Sequence, residues 1–173
     1  MSKLNVDQKN IRLLLADKKA DFLIPDYQRP YAWSEEECQT LWEDIFDFAI
    51  PEGDATKFNS EEEYYLGPIV TFKNDHNKLE VIDGQQRLTT IMLLLRAFHI
   101  SFGEMRDENS KKIKEMIESC IWKTDEFGNA NRDLLKIDSE VATDKDKDEF
   151  LSILNTGIAP LTMKSKYAEN YRY

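Results

Sequence analysis

The order of apolar and polar positions divides the chain into alternating helices and strands. Apolar residues at helical spacing predict a short helix over residues 7–17 and a second helix that begins after Ser34 and ends at Pro51. Ser34 and Glu37 have the spacing of a capping box, in which each side chain bonds a free amide of the first turn. The apolar stripe of this second helix, which we expect to face the core, comprises Cys38, Leu41, Trp42, Ile45 and Phe46.

Strands are predicted at residues 21–24, 64–72 and 78–82. The last two flank an Asn-Asp-His-Asn turn sequence and therefore predict a hairpin. A long apolar helix is expected from Gln85 to Phe102, at the centre of the fold. Further helices are predicted over residues 110–122 and 145–154, with a short extended segment at 134–137. This succession predicts an α+β domain.

The domain organisation follows from what the chain lacks. No repeat and no Pro/Gly/Ser-rich linker divides residues 1–173, so we expect a single domain. Met163, Tyr167 and Tyr171 lie four residues apart and predict a last helix that reaches the end of the sequence without a cap. We therefore expect the chain to be the N-terminal part of a longer protein.

Composition restricts the classes of function. The 173 residues are 41% hydrophobic and 32% charged, which is typical of a folded domain. The net charge of -10 argues against a basic protein that coats duplex DNA, because Lys and Arg hold phosphate backbones. Two cysteines are too few for a disulfide framework, and neither a signal peptide nor a membrane span is found. A cytoplasmic setting is therefore expected.

The segment 80–90 is the most informative for chemistry. Here a predicted strand ends, an Asp-Gly turn follows, and a helix begins with amides, an arginine and hydroxyls. Free backbone amides at a helix N-terminus attract anions, and an arginine fork fits phosphate oxygens. Asp83 beside a phosphate indicates a bridging divalent metal or an oriented water. The candidate residues are Asp83, Gly84, Gln85, Gln86, Arg87 and Thr89.

A second interpretation of this segment stays open, in which Asp83 only caps a buried helix. Core helices often lack acidic residues, so the absence of acids between Gly84 and Gly103 does not decide between the two.

The segment 24–33 is the second candidate. Two prolines stiffen a segment that carries Tyr27, Gln28 and Arg29, groups that can stack on a base and hold a phosphate. Alternatively, Tyr31 and Trp33 pack on the following helix as an apolar lid. Both interpretations are compatible with the sequence.

Other site types are excluded by their missing motifs. The two histidines have no Cys, His or Asn partner at ligand spacing, which argues against a zinc site or an HNH-type nuclease site. Neither a Walker loop nor a GxSxG motif occurs.

Three motifs in order carry a family resemblance: residues 24–33 (IPDYQRPYAW), 64–67 (YYLG) and 81–90 (VIDGQQRLTT). They resemble the N-terminal domain of GmrSD-type, modification-dependent restriction endonucleases, a broad family of bacterial phage-defence proteins. The family pattern makes residues 64–67 part of a strand. Residues 132–150 also look like the family's middle section.

The resemblance implies a fold related to the ParB/sulfiredoxin group, with a small mixed sheet flanked by helices. It implies that Asp83, Gly84, Gln85, Gln86 and Arg87 form a nucleotide-hydrolysing motif. It also implies that Tyr27, Gln28 and Arg29 lie near the nucleotide or help to sense modified DNA.

The predicted function is binding, and hydrolysis, of a nucleoside triphosphate with Mg²⁺ at Asp83. This activity would regulate a separate C-terminal HNH-type nuclease domain that acts on modified DNA and is absent from this chain. The alternatives are a module that senses nucleotide or modified DNA without turnover, and an interaction module in which the DGQQR turn is purely structural.

Overall fold

A mixed four-stranded sheet lies at the centre of the computed structural model, which describes residues 5–173. Its strands, in the spatial order β2-β3-β1-β6, are β1 (Phe22–Ile24), β2 (Val70–Lys73), β3 (Leu79–Asp83) and β6 (Ile137–Ser139). A separate antiparallel pair comprises β4 (Trp122–Thr124) and β5 (Ala130–Leu135). The helices are α1 (Ile11–Leu15), α2 (Glu35–Ala49), α3 (Gln85–Glu104), α4 (Glu108–Ile121), α5 (Lys147–Thr156) and α6 (Lys166–Arg172), with 3₁₀ turns at Pro51–Gly53 and Ala55–Lys57. The predicted α+β class with a small mixed sheet is confirmed.

Strand direction determines where the chain presents its loops. β1 pairs in parallel with both β3 and β6, and Ile24 is the register partner of Ser139. The carboxyl ends of these three strands therefore lie at one edge of the sheet. The loop after β1, the start of α3 and the end of β6 meet there. In open sheets with parallel strands, ligands bind outside this edge.

The long helix α3 lies in the core, as predicted. Leu88, Ile91, Met92 and Leu93 are buried and belong to the main hydrophobic cluster with strands β1, β3 and β6. The apolar residues around the circumference of α3 are thus explained by contact with several elements. Among the helices of residues 5–173, none is both long and apolar enough to cross a membrane.

The predicted strand over residues 64–72 is wrong for residues 64–69, because β2 begins only at Val70. Gly67 has a φ of +88°, and the following Pro68 has no amide hydrogen for a strand ladder. Tyr64 packs on the ring of Phe48 instead. The remainder pairs with β3 as the predicted hairpin.

The first helix is shorter than predicted. α1 covers only residues 11–15, because Asn10 caps it by accepting a hydrogen bond from the amide of Leu13. The capping box of Ser34 and Glu37 begins α2 as predicted.

The apolar stripe of α2 is also less buried than expected. Cys38 and Leu41 are buried, whereas Trp42 and Phe46 are 39% and 40% exposed. Trp42 packs at the surface against Phe98 of α3 rather than in the core.

Candidate functional site

Gln86 joins the first turn of α3 to the loop after β1. Its Nε2 donates to the carbonyl oxygen of Pro30 at 3.1 Å, and its Oε1 accepts from the amide of Ala32 at 2.7 Å. The side chain is 7% exposed. Each polar end therefore makes one hydrogen bond within the chain, and a phosphate contact by Gln86, through the second hydrogen of Nε2, stays a prediction.

Gln85 is bound to the same loop by one end only. Its Nε2 donates to the carbonyl oxygen of Arg29 at 3.0 Å. A carbonyl oxygen accepts but cannot donate, so this contact fixes which end of the side-chain amide faces the loop. The other end, Oε1, is buried and has no hydrogen-bond partner within residues 5–173.

The first turn of α3 begins on a glycine for steric reasons. Gly84 is the N-cap residue, with a φ of +87° and no side-chain cap. A Cβ there would lie 2.8 Å from the carbonyl oxygen of Pro68. Gly84 and not Asp83 is therefore the N-cap, and the binding role of Asp83 stays a prediction. The glycine lets the backbone at Pro68 and Ile69 pack directly on the helix start, and the amides of the first turn have no helical partners.

Arg87 lies on a different side of the helix start from Gln85. Its Nη1 donates to the carbonyl oxygen of Pro68 at 3.0 Å. The guanidinium packs against Gly67, where an added Cβ would lie 2.9 Å from its atoms. Gly67 thus leaves room for the guanidinium, and Arg87 makes no ion pair within residues 5–173.

Asp83 ends β3 with an exposed carboxylate. Residues 5–173 contain no group of three or more His, Cys, Asp or Glu side chains that could hold a metal ion. A protein-only metal site is therefore not formed here. A single exposed carboxylate is compatible with Mg²⁺, which proteins often bind through one or two carboxylates together with the phosphates of a substrate.

Residues 27–29 of the loop after β1 have three different environments. Gln28 donates from Nε2 to the carbonyl oxygens of Val81 and Ile82, at 3.2 and 3.0 Å, so it attaches the loop to the end of β3. Tyr27 is 62% exposed. Arg29 is exposed and in no ion pair within the described part of the chain.

A narrow cleft of about 10 Å³ opens between α3, the loop and the sheet edge. A larger cavity of about 200 Å³ adjoins it and shares Tyr31 and Tyr167 as walls. The polar residues around the narrow cleft are Arg29, Gln85, Gln86, Thr89 and Ser139.

A chain of hydrogen bonds from α6 to α3 holds Tyr31 of the loop after β1 in place. Asn170 of α6 donates to the hydroxyl of Tyr31, and the hydroxyl of Thr90 donates to the backbone oxygen of Gln86. Tyr31 therefore donates to Thr90 Oγ1, at 2.8 Å. Burial raises the pKa of Tyr31 well above its ordinary range, so this donor keeps its proton.

The structure thus divides the predicted residues into two groups on either side of the α3 N-terminus. Arg29, Gln85, Gln86 and Thr89 line the cleft, whereas Gly84 and Arg87 lie against Gly67 and Pro68, and Asp83 pairs with Val70 of β2. Gln28 supports the loop, and Tyr27 lies at the surface.

Sequence reasoning missed Ser139 and Asn170. Ser139 ends a buried strand that runs parallel to β1. A polar residue at such a strand end could have been identified as a site residue if the strand pairing had been known. Asn170 comes from a helix far along the chain and gives no local signal.

The family described as "GmrSD restriction endonuclease, N-terminal domain" matches residues 11–172 of this chain, and no curated protein matches it. The match includes the loop after β1, the Gly67 turn and the start of α3. The chain therefore belongs to the family of GmrSD restriction endonuclease N-terminal domains.

Proposed function

We propose that this domain binds a nucleoside triphosphate together with Mg²⁺ and hydrolyses it. The observation that carries the proposal is the start of α3, which has a glycine N-cap and no side-chain cap. Its first turn leaves amides without helical partners. Arg29 and Arg87 flank it with cationic groups that form no ion pair within residues 5–173.

The phosphates would lie at this helix start. The amides and the positive end of the helix dipole favour an anion, and the planar fork of Arg87 suits bidentate contact with phosphate oxygens. The absence of acids between Gly84 and Gly103 supports this placement, since the chain as a whole has a net charge of -10.

Asp83 would act in the hydrolysis step. Its carboxylate can share Mg²⁺ with the phosphates or orient the attacking water. Mg²⁺, when bound, neutralises charge that develops on the phosphate oxygens. Gln86 would act as a positioning residue, because it joins the loop that bears Arg29 to the first turn of α3.

Binding and turnover are tested together. We expect saturable binding of at least one ribonucleoside triphosphate in the presence of Mg²⁺, with release of inorganic phosphate. Asp83→Asn keeps the shape of the side chain and should lower phosphate release by about 100-fold or more. No saturable binding with or without Mg²⁺ would contradict the proposal.

A nucleotide sensor without turnover is the second candidate. It is favoured by the single exposed carboxylate, since residues 5–173 contain no preformed metal cluster. Binding without phosphate release in wild type would establish this alternative.

In the full-length protein, we propose that the nucleotide state regulates a nuclease domain that acts on modified phage DNA. The acidic domain alone should bind DNA weakly and with strong dependence on salt. Gel shifts that stay tight at high salt would contradict this part of the proposal.

A further inference from the structure

Two buried polar atoms that line the same cleft have no hydrogen-bond partner within residues 5–173. They are Oε1 of Gln85 and Oγ of Ser139, on residues that are 6% and 5% exposed. Buried polar groups in folded proteins are almost always paired, because an unpaired one has lost its hydrogen bonds to water without a replacement. Two such atoms at one opening indicate that a ligand group belongs there.

The chemistry of Gln85 determines what kind of group this is. Its Nε2 donates to the carbonyl oxygen of Arg29, which leaves the carbonyl oxygen Oε1, on a residue that lines the cleft, without a partner. That atom accepts hydrogen bonds and cannot donate them. An ionised phosphate oxygen has no hydrogen to offer and would be repelled. The partner of Gln85 must therefore be a donor, either a hydroxyl or an amino group.

Ser139 is compatible with the same partner. Its hydroxyl can accept from the incoming group or donate to its oxygen. Ser139 occupies this position because β6 ends here, in register with Ile24 of the neighbouring strand. The side chain therefore projects from a strand end and not from a loose loop.

The size of the opening limits the group that enters. The narrow cleft of about 10 Å³ has room for a single group the size of a water molecule. The adjoining cavity of about 200 Å³ offers space for the rest of a molecule that carries this group.

We propose that Gln85 and Ser139 bind the nucleoside end of the nucleotide, through a sugar hydroxyl or an amino group of the base. The phosphates then extend towards Arg87. Gln85 and Arg87 are the first and third residues of α3 and project to different sides of its first turn, so the nucleotide would lie across the N-terminal end of the helix to contact both. This inference rests on the proposed function and gives the bound nucleotide a direction.

The test compares nucleotides that each lack one donor. Binding of ATP and GTP is measured beside the 2′-deoxy and 3′-deoxy forms, and beside inosine triphosphate, which lacks the amino group of either base. One of these losses should weaken binding by about tenfold. The analogue that shows the loss identifies the donor.

Ser139→Ala then tests the assignment. The ratio of affinities between the complete nucleotide and that analogue should fall at least about threefold in Ser139→Ala. The matched control, Ser101→Ala, changes an exposed serine near the other end of α3 and should keep the wild-type ratio. Thermal melts of both variants show that each is folded.

The outcomes separate this inference from the proposed function. No binding of any nucleotide overturns both. Binding in which every analogue matches its complete parent within twofold overturns only the inference, and a water molecule then occupies the cleft. The inference is also overturned if one analogue binds more weakly but Ser139→Ala keeps the wild-type ratio of affinities. The donor is then bound by other residues.

Discussion

The side-chain amide of Gln86 donates to the carbonyl oxygen of Pro30 at 3.1 Å, across 56 positions of sequence. The same side chain accepts from the amide of Ala32. Gln86 therefore joins the loop after β1 to the start of α3, and Gln85 and Tyr31 make further hydrogen bonds between the same two segments.

Replacement of Gln86 should cost stability as well as ligand binding. Gln86→Leu keeps similar volume but leaves the buried ends of two loop hydrogen bonds without partners. We expect the free energy of unfolding to fall by about 2 kcal/mol, measured by urea denaturation.

Gln39→Leu is the control for Gln86, because Gln39 is exposed on α2 and bonds only Glu43. It should change the free energy of unfolding by less than about 0.5 kcal/mol. Equal stability of the two variants would show that the Gln86 contacts do not hold the loop.

Gly84→Ala should be more harmful than Gly128→Ala. Both glycines have nearly the same φ, +87° and +90°, so both substitutions introduce the same backbone strain, about 1–2 kcal/mol. At Gly84 the new Cβ also meets the carbonyl oxygen of Pro68 at 2.8 Å, whereas nothing lies within 4 Å at Gly128. The difference in melting temperature between the two variants measures this clash. If Gly128→Ala melts at or below Gly84→Ala, the close approach of Pro68 is refuted.

Arg87→Ala should separate binding from folding. Arg87 makes one hydrogen bond to the protein, to Pro68, so the free energy of unfolding should fall by less than about 1 kcal/mol. Loss of a charged contact to phosphate should weaken triphosphate binding by about 10- to 100-fold. Calorimetric titration measures the second effect and urea denaturation the first.

Arg106→Ala removes the same charge from an exposed site and should leave affinity unchanged. A variant Arg87→Ala that is strongly destabilised yet binds nucleotide normally would favour the purely structural interpretation of the turn.

His99 should make stability depend on pH. Its Nδ1 accepts from Arg96 at 2.6 Å, which leaves the proton on Nε2, and that nitrogen donates to Glu118 at 2.9 Å. Burial lowers the pKa of His99 below its ordinary value of 6.5, although the bond to Glu118 opposes this. As the pH falls below 6.5, the unfolded chain takes up a proton more readily than the folded one, so the folded state loses stability.

His99→Gln should reduce the loss of unfolding free energy between about pH 7.5 and pH 5.5, the range that includes the ordinary histidine pKa. The control His76→Gln changes an exposed residue of the β2–β3 turn and should keep the wild-type loss. Urea denaturation at the two pH values provides the comparison. A loss that is the same in His99→Gln and wild type would assign the effect to other groups.

Local patterns predicted those elements whose causes are local. The capping box of Ser34, the hairpin turn and the apolar circumference of α3 are all written in neighbouring residues, and the structure contains each of them. The DGQQR turn also indicated the start of α3 correctly.

What the sequence did not predict depends on contacts between distant residues. Residues 64–69 have strand-like composition, but Gly67 is needed as a surface for the guanidinium of Arg87. Ser139 joins the cleft only because β6 pairs beside β1. The helical spacing of Trp42 predicts a core residue, but its ring packs at the surface on Phe98. Such long-range pairings leave no periodic signal in a single sequence.

The most direct test of the central claim is a crystal structure with a non-hydrolysable nucleoside triphosphate and Mg²⁺. We predict phosphate density at the first turn of α3 beside Arg87, with the nucleoside towards Gln85 and Ser139. Nucleotide bound elsewhere on the domain, or an empty helix start at ligand concentrations well above the measured Kd, would contradict the account.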